Sequence, residues 1–265
     1  MESIRVDLSP PIAVGATADI HDWSAGRVLK LYRADVPRSA CVREAKITRL
    51  LHAAGVRVPI VGEVVEVNGR LGLPMEKLLG PTFGALLRRS EPADRLGRIA
   101  AEIHVAMHAL AAPNLQTMRV QFRWVIERGP LSTETKARVL GAMEALPDGD
   151  RICHGDFHLE NIVMTVDGPV VIDCPVAHQG NPQADVAQTD VITKELLARG
   201  LPEPAARTVD RFMSSYRERY DDLSPDGHDQ VVAWRPIVAA VRLSMGAAQA
   251  GHSERLERIV DEGPW

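Results

Sequence analysis

Apolar residues in the first 76 positions follow the periods of a sheet with one helix. The segments "PPIAVGATADIHDW" and "RVLKLYR" predict two strands that a turn at residues 24–26 joins. Residues 37–54 predict a helix that Pro37 opens and Gly55 stops, because its apolar positions recur on one face. That face comprises Val42, Ile47, Leu50 and Leu51. The runs "IVGEVVEV" and "RLGLPME" flank Asn68-Gly69, a pair that suits the type I′ turn of a hairpin.

The pattern then becomes mainly helical. Residues 82–112 and 131–146 have helical spacing, and so does the chain after Pro182, with breaks near Gly200, at 225–227 and near Gly251. Between these helices, "RICHGD" predicts a strand and "NIVMTVDGPVVID" a hairpin around Asp167-Gly168. We therefore predict an α+β fold with two domains, a small sheet lobe (1–77) and a larger helical lobe (78–265), joined within "EKLLGP".

Composition excludes several classes of protein. The chain has 265 residues, 45% hydrophobic and 25% charged, which is the composition of an ordinary globular protein. Its net charge of -4 provides no basic surface for nucleic acid. No apolar run approaches the roughly 20 residues of a membrane-spanning helix, and "MESIRVDLSP" lacks the apolar core of a signal peptide. Three cysteines form no disulfide framework, so we expect a cytoplasmic protein in which Cys153 and Cys174 are core residues.

Polar groups are densest in "HGDFHLENIV", residues 154–163. Asp156 and Asn161 lie on a loop between short strands, and Asp173 ends the hairpin that begins after Asn161. Because a tight hairpin brings its two ends together, we expect Asp173 beside Asn161, with Asp156 near both. Two carboxylates and an amide oxygen are hard donors that suit Mg²⁺. A carboxylate left over can accept a proton from an attacking hydroxyl, which is the division of roles that phosphoryl transfer needs.

Two other interpretations of this stretch compete with the magnesium site. Asp156 and Asn161 also belong to the residue types that cap turns. The candidates for a zinc site are Cys153, His154, Asp156, His158 and Cys174. Their spacing does not match the usual ligand pairs, and adjacent residues of a strand point in opposite directions. We interpret His154 as a packed, hydrogen-bonded histidine, whereas His158 could face either the cleft or solvent.

The order of these motifs resembles the aminoglycoside phosphotransferase family, which is similar to protein kinases and includes choline and homoserine kinases. The family pattern is H-G-D-x-x-x-x-N, then I-D after a short hairpin, then G-x-P-x-x-D. This chain has "HGDFHLEN", "VVID" and "GNPQAD" in that order. The resemblance covers most of the chain and implies a bilobal protein-kinase-like fold. It also implies Asp156 as catalytic base, Asn161 and Asp173 as Mg²⁺ ligands, and Asp185 as a brace of the catalytic loop, with His154 in support.

The resemblance further implies that the sheet lobe binds ATP. Lys30 lies on a predicted strand between apolar neighbours, and a buried lysine needs a carboxylate, for which Glu44 on the following helix is the candidate. In the family, such a pair orients the α- and β-phosphates. "VGATADIH" takes the place of the glycine-rich loop, with Gly15 as its one glycine and the Thr17 hydroxyl as an additional donor.

The end of the sheet lobe would form the adenine site. Glu76 to Leu78 would be the hinge whose backbone contacts adenine, and Met75 would either line the pocket behind it or belong to the core.

The expected acceptor is a small molecule with a hydroxyl group. Four acids concentrate in "RYDDLSPDGHD": Asp221, Asp222, Asp226 and Asp229. They would attract a polycationic aminoglycoside, or they form a solvated loop. We therefore predict an ATP- and Mg²⁺-dependent small-molecule kinase, acting on an antibiotic or in metabolism. A kinase of choline, homoserine or a sugar, and a nucleotide-binding pseudokinase that acts by interaction, are the alternatives.

Overall fold

The computed structural model describes residues 3–112, 114–198, 201–225, 228–246 and 253–263. These residues form two compact units. The first unit consists of the chain up to Pro81 together with Ile162–Val176, and the second of Thr82–Asn161 with the described residues from Ala177 onward. The predicted division into two domains at residues 1–77 and 78–265 stays a prediction. The compact units differ from them mainly by grouping residues 162–176 with the sheet.

Short strands form three sheets in the described residues. The strands are β1 Ser3–Ile4, β2 Ala13–Val14, β3 Ala18–Ser24, β4 Arg27–Tyr32, β5 Val65–Val67, β6 Arg70–Glu76, β7 Arg151–Cys153, β8 Ile162–Thr165, β9 Gly168–Val171 and β10 His178–Gly180. The first six form one sheet in the order β1-β5-β6-β4-β3-β2, antiparallel except where β1 joins β5. β7 pairs with β10, and β8 with β9. β1 and β10 were not predicted.

The sheet of the first unit confirms the predicted hairpins. Asn68 and Gly69 have φ angles of 51° and 77°, as both central residues of a type I′ turn require. β4 carries Leu29 and Leu31 on one face, in a cluster with Val67. Since side chains alternate along a strand, Lys30 shares the opposite face with Tyr32.

Helices make up most of the second unit and one element of the first. Those in the described part of the chain are α1 Arg38–Ala53, α2 Phe83–Arg88, α3 Ala93–His108, α4 Met118–Arg128, α5 Thr133–Ala145, α6 Pro182–Ala198, α7 Glu203–Leu223, α8 His228–Ser244 and α9 Ser253–Asp261. Among these helices, none combines the length and the apolar character needed to cross a membrane. The predicted breaks near Gly200 and near Gly251 fall outside the described residues, and so do residues 226 and 227 of the predicted break at 225–227, which α7 precedes by ending at Leu223.

The predicted helix at residues 37–54 is confirmed as α1, but its predicted face is wrong at one position. Val42 is 46% exposed, whereas the neighbouring Cys41 is fully buried. The buried row is Cys41, Glu44, Ala45, Ile47, Thr48 and Leu51. Because residues three and four apart share a helix face, a row that starts at 41 turns Val42 outward. The same row turns Glu44 inward, where Cys41 and Ala45 pack in one cluster with Tyr32.

Close helix pairs build the second unit, with α3 against α7 and α6 against α8. A Cβ atom at Gly97 of α3 would lie 2.3 Å from the carbonyl oxygen of Phe212 in α7, so this approach depends on glycine. It brings the buried histidines of α3 within hydrogen-bond distance of tyrosines of α7.

Candidate active site

Lys30 of the first unit lies between two carboxylates. Its Nζ donates to Glu44 Oε1 at 2.7 Å and to Asp173 Oδ1 at 2.9 Å. The predicted pairing with Glu44 is thereby confirmed, whereas the contact with Asp173 was not predicted. The Tyr32 hydroxyl donates to the other Glu44 oxygen at 2.8 Å, so Glu44 is fixed from both sides.

The two carboxylates keep Lys30 charged. Burial alone would lower the pKa of Lys30, but the charges and hydrogen bonds of Asp173 and Glu44 raise it above its ordinary value. Asp173 follows the β8–β9 hairpin, whose register pairs Ile162 with Val171, and adopts a left-handed backbone with φ of 59°. Its side chain is 47% exposed. This carboxylate is therefore accessible to a second cation.

The segment in place of a glycine-rich loop joins β2 to β3 in the same unit. The Gly15 amide donates to the Ala18 carbonyl at 2.9 Å and is used within the loop. Within the described part of the chain, the amides of Ala16 and Thr17 have no protein acceptor and can face a phosphate. Residues 11–17 are exposed, so the Thr17 hydroxyl is accessible.

The predicted hinge begins at the end of β6. The Glu76 amide donates to the Ile60 carbonyl at 2.8 Å, and the Lys77 amide donates to the Gly26 carbonyl at 3.0 Å. Among the described residues, no acceptor pairs with the Leu78 amide, which can therefore serve a ligand. Met75 is partly buried against the cluster that contains Leu73, which fits the core interpretation and leaves a pocket role as a prediction.

In the second unit, Asp185 at the start of α6 holds the loop that carries Asp156. Its Oδ1 accepts from the Gly155 amide at 2.9 Å and its Oδ2 from the His154 amide at 2.5 Å. Asp185 and His154 are both fully buried, and the His154 ring accepts from the Asp156 amide at 3.1 Å. The loop geometry is thus fixed from both sides, in the manner expected of Asp185 as a brace and His154 as a packed histidine.

The two oxygens of Asp156 face different partners. His158 Nε2 lies 3.5 Å from Oδ2, and Arg242 Nη1 lies 3.7 Å from Oδ1. Asn161 donates its amide to the Asp156 carbonyl at 3.0 Å, so its own side-chain oxygen remains to serve a ligand. Burial would raise the pKa of Asp156, but the hydrogen bond and charge of His158, with His154 and Arg242, lower it below its ordinary value. The carboxylate is therefore ionised at neutral pH.

Among the described residues, one group of three metal-type side chains is closely packed: His104, His108 and Asp185. It differs from the zinc candidates considered from the sequence. Both histidine Nε2 atoms lie near Asp185 Oδ2, at 3.0 and 3.2 Å, and both Nδ1 atoms lie near the hydroxyls of Tyr216 and Tyr220, at 2.8 and 2.7 Å. Every ring nitrogen thus has a protein partner, as in a hydrogen-bond network.

Asp185 carries a negative charge in this network. Burial, followed by the neighbouring His108, lowers the pKa of His104 to about 3, so the His104 ring is neutral. Burial would raise the pKa of Asp185, but the donors of His104 and His108 hold it well below its ordinary value. The free thiols of Cys153 and Cys174 are buried, as expected of core residues.

The residues predicted from the sequence come together in two groups. Lys30, Glu44 and Asp173 meet in the first unit, and Asp156 and Asn161 meet in the second. The expected proximity of Asp173 to Asn161 stays a prediction. Sequence reasoning missed His104, His108 and Arg242. Two histidines four residues apart on a predicted helix were a usable signal of a shared partner, whereas no local pattern connects Arg242 to Asp156.

The model of the phosphotransferase enzyme family (APH) matches residues 13–223. No curated protein sequence is significantly similar to the chain.

Solved structures share the fold at low identity. An aminoglycoside-3'-phosphotransferase of type VIII is 19% identical, with a TM-score of 0.62 over 90% of this chain and 92% of that one. A putative fructosamine-3-kinase from Haemophilus somnus 129PT is 15% identical, with a TM-score of 0.64 over 96% and 90%. The ternary complex of streptomycin and ATP with APH(2'')-IIa is 15% identical, with a TM-score of 0.52 over 97% and 92%. The predicted α+β, protein-kinase-like fold is confirmed. Since the family model spans most of its length, the chain belongs to the phosphotransferase enzyme family.

Proposed function

We propose that this phosphotransferase is an ATP- and Mg²⁺-dependent kinase that transfers the γ-phosphoryl group to a hydroxyl of a small molecule. The observation that carries the proposal is the position of Lys30, a cation only 12% exposed that Glu44 fixes and that also contacts the half-exposed Asp173. A lysine fixed by a glutamate is the device that kinases use to orient nucleotide phosphates. The ATP in the streptomycin complex of similar fold supports the same nucleotide.

The donor chemistry fits Mg²⁺. Asp173 offers an accessible carboxylate, and Asn161 turns its amide nitrogen toward the Asp156 carbonyl and so keeps an oxygen for a metal. Both are hard oxygen donors, and Mg²⁺ needs few protein ligands because water and phosphate complete its shell. We assign these two residues as its ligands. Bound there, the ion would neutralise charge on the phosphates.

Asp156 is assigned as the base that accepts the proton of the acceptor hydroxyl. Its carboxylate is ionised and its loop is held by Asp185, so it needs no rearrangement to receive a proton. On the nucleotide side, the amides near Gly15, the Thr17 hydroxyl and the Leu78 amide are assigned to phosphate and adenine.

The test is a screen for phosphorylated products, by mass spectrometry, across aminoglycosides, macrolides, choline, homoserine and sugars with Mg²⁺ and ATP. Asp156→Asn is expected to lower kcat on the order of 10²-fold or more with ATP affinity nearly intact. The control is Asp190→Asn, which removes a buried carboxylate of α6 that binds Arg217 and Arg235. If Asp156→Asn mainly weakened ATP binding, Asp156 would be a metal ligand. Binding of ATP without transfer to any acceptor would favour the pseudokinase.

Asp173→Ala is expected to abolish Mg²⁺-dependent ATP binding, which calorimetry with and without the ion would measure. Unchanged turnover of this variant at ordinary Mg²⁺ concentrations would remove the ligand assignment.

A further inference from the structure

Arg242 of α8 presents one edge of its guanidinium group to Asp156, and the proposed reaction gives that edge no role. Its Nε and Nη2 donate to the two oxygens of Glu195 at 2.6 and 2.7 Å. The Arg242 and Glu195 side chains are only 13% and 7% exposed. Nη1, on the other edge, lies 3.7 Å from Asp156 Oδ1, which is too long for a hydrogen bond. The fork to Glu195 therefore fixes the guanidinium group and leaves Nη1 with donors to spare.

The position of Nη1 relative to Asp156 indicates what it serves. Oδ2 of Asp156 faces His158 and Asn161, and Asn161 is the residue assigned to Mg²⁺. Oδ1 faces Arg242. Arg242 therefore borders the carboxylate on the side away from the assigned metal ligand. The Asp156 side chain is 34% exposed, and the proposed reaction brings the acceptor hydroxyl to it. A group attached close to that hydroxyl would lie within reach of Nη1.

We propose that Arg242 binds an oxygen atom of the acceptor next to the hydroxyl that is phosphorylated. The inference rests on the proposed function, because it takes Asp156 as the base. A guanidinium group donates and never accepts, so it suits a neighbouring hydroxyl or carboxylate. An ammonium group in the same place would meet the like charge of Arg242, and it has no lone pair to accept a hydrogen bond from Nη1. The acceptor class is thus a polyol, sugar or hydroxy acid, without an amino group beside the reacting hydroxyl.

A second ion pair between α8 and α6 provides a control that distinguishes acceptor recognition from helix packing. Arg235 is two turns before Arg242 on α8 and donates to Asp190 of α6 at 2.6 Å. It joins the same two helices but contacts Asp190 in place of Glu195. Asp190 also keeps Arg217 as a partner, so loss of Arg235 does not leave it unpaired.

The experiment compares acceptors that differ in one group. Glycerol, glycerate and 3-aminopropane-1,2-diol form one series, and glucose, glucuronate and 6-amino-6-deoxyglucose another. The wild type is expected to favour the oxygen-bearing members of a series over the amine by about tenfold or more in kcat/KM. The relative rates with the hydroxyl and the carboxylate member identify which oxygen Arg242 binds.

The variant Arg242→Gln/Glu195→Gln removes both charges, because Arg242→Gln alone would leave Glu195 buried and unpaired. It should lower kcat/KM for the favoured acceptors about 10²-fold, keep the KM for ATP, and bring the members of a series within about threefold of one another. Arg235→Gln should keep the wild-type preference. A wild type that prefers the amine, or a double variant that retains the preference, would overturn the inference alone. Failure of the wild type to phosphorylate any acceptor would overturn the proposed function and the inference with it.

Discussion

Replacing Asp185 by Asn is expected to destabilise the second unit and to loosen the loop that carries Asp156. Asp185 is fully buried and accepts from the Gly155 amide on one oxygen. Its other oxygen accepts from the His154 amide and faces Nε2 of both His104 and His108. Asparagine has the same shape but only one oxygen, so its NH₂ group must face a donor.

The size of the effect depends on which donors can adapt. Each histidine can move its proton to Nδ1, because the tyrosine hydroxyl beside it can accept as well as donate. The amides of His154 and Gly155 cannot adapt, so one of them meets the NH₂ group in either orientation. A lost hydrogen bond to a charged acceptor costs about 1.5–3 kcal/mol, and leaving a buried donor unpaired costs about 1–3 kcal/mol. Removing a buried charge offsets part of this sum, so we expect the free energy of unfolding to fall by about 3 kcal/mol.

Urea unfolding would measure the total effect, and hydrogen exchange would locate it. The amides of His154 and Gly155 should exchange faster in Asp185→Asn than in the wild type. Asp190→Asn serves as the control, since Asp190 is also a buried acid of α6 but binds arginines and not the loop. A stability loss below about 1 kcal/mol, or unchanged exchange at both amides, would refute the reasoning.

Three further predictions follow from the packing and the charges. Lys30→Met should weaken ATP binding about tenfold or more in calorimetry, and equal affinity would remove Lys30 from the nucleotide site. Gly97→Ala should lower the free energy of unfolding by at least about 2 kcal/mol, because the new Cβ would lie 2.3 Å from a backbone oxygen. Gly141→Ala, where a Cβ meets open space, should cost nothing. Equal melting temperatures for the two variants would contradict this expectation. The pKa of His104 falls from 6.5 to about 3 on folding. The contribution of neutral His104 to the free energy of unfolding is therefore complete above pH 6.5 and is lost as the pH falls from there toward 3. The loss is at most about 1.4 kcal/mol per pH unit. His104→Asn should flatten this dependence in unfolding experiments, and an unchanged slope would contradict it.

Much of the fold was predictable because turns and helix faces depend on residues that are close together in the sequence. The Asn68-Gly69 turn and the hairpin around Gly168 need left-handed backbone at residues that tolerate it, and both are present. α4 escaped prediction because its apolar residues are not confined to one face. Val120 and Trp124 are 54% and 57% exposed, although other apolar residues of the helix are buried. An amphipathic pattern blurred in this way has no clear helical period.

The site was predictable where its residues lie on a strand and the next helix, or on one loop. Lys30 and Glu44 lie on consecutive elements, so a need for charge pairing was enough to join them. Arg242 approaches Asp156 only because α8 packs on α6, and no sequence period encodes that approach. The role of the α3 histidines likewise depends on the close approach of α3 and α7 at Gly97.

The acids of α6 show how packing and chemistry are coupled in the second unit. Asp185, Asp190 and Glu195 follow one another at intervals of five residues and are all buried. Five residues rotate a helix by about 140° beyond a full turn, so the three acids face different neighbours. The first holds the Asp156 loop, the second binds two arginines, and the third fixes Arg242 beside Asp156. Buried carboxylates rarely stabilise a fold better than apolar side chains of the same volume. The presence of Asp185 and Glu195 is therefore better explained by the site, since the former contacts the Asp156 loop and the latter fixes Arg242 beside Asp156.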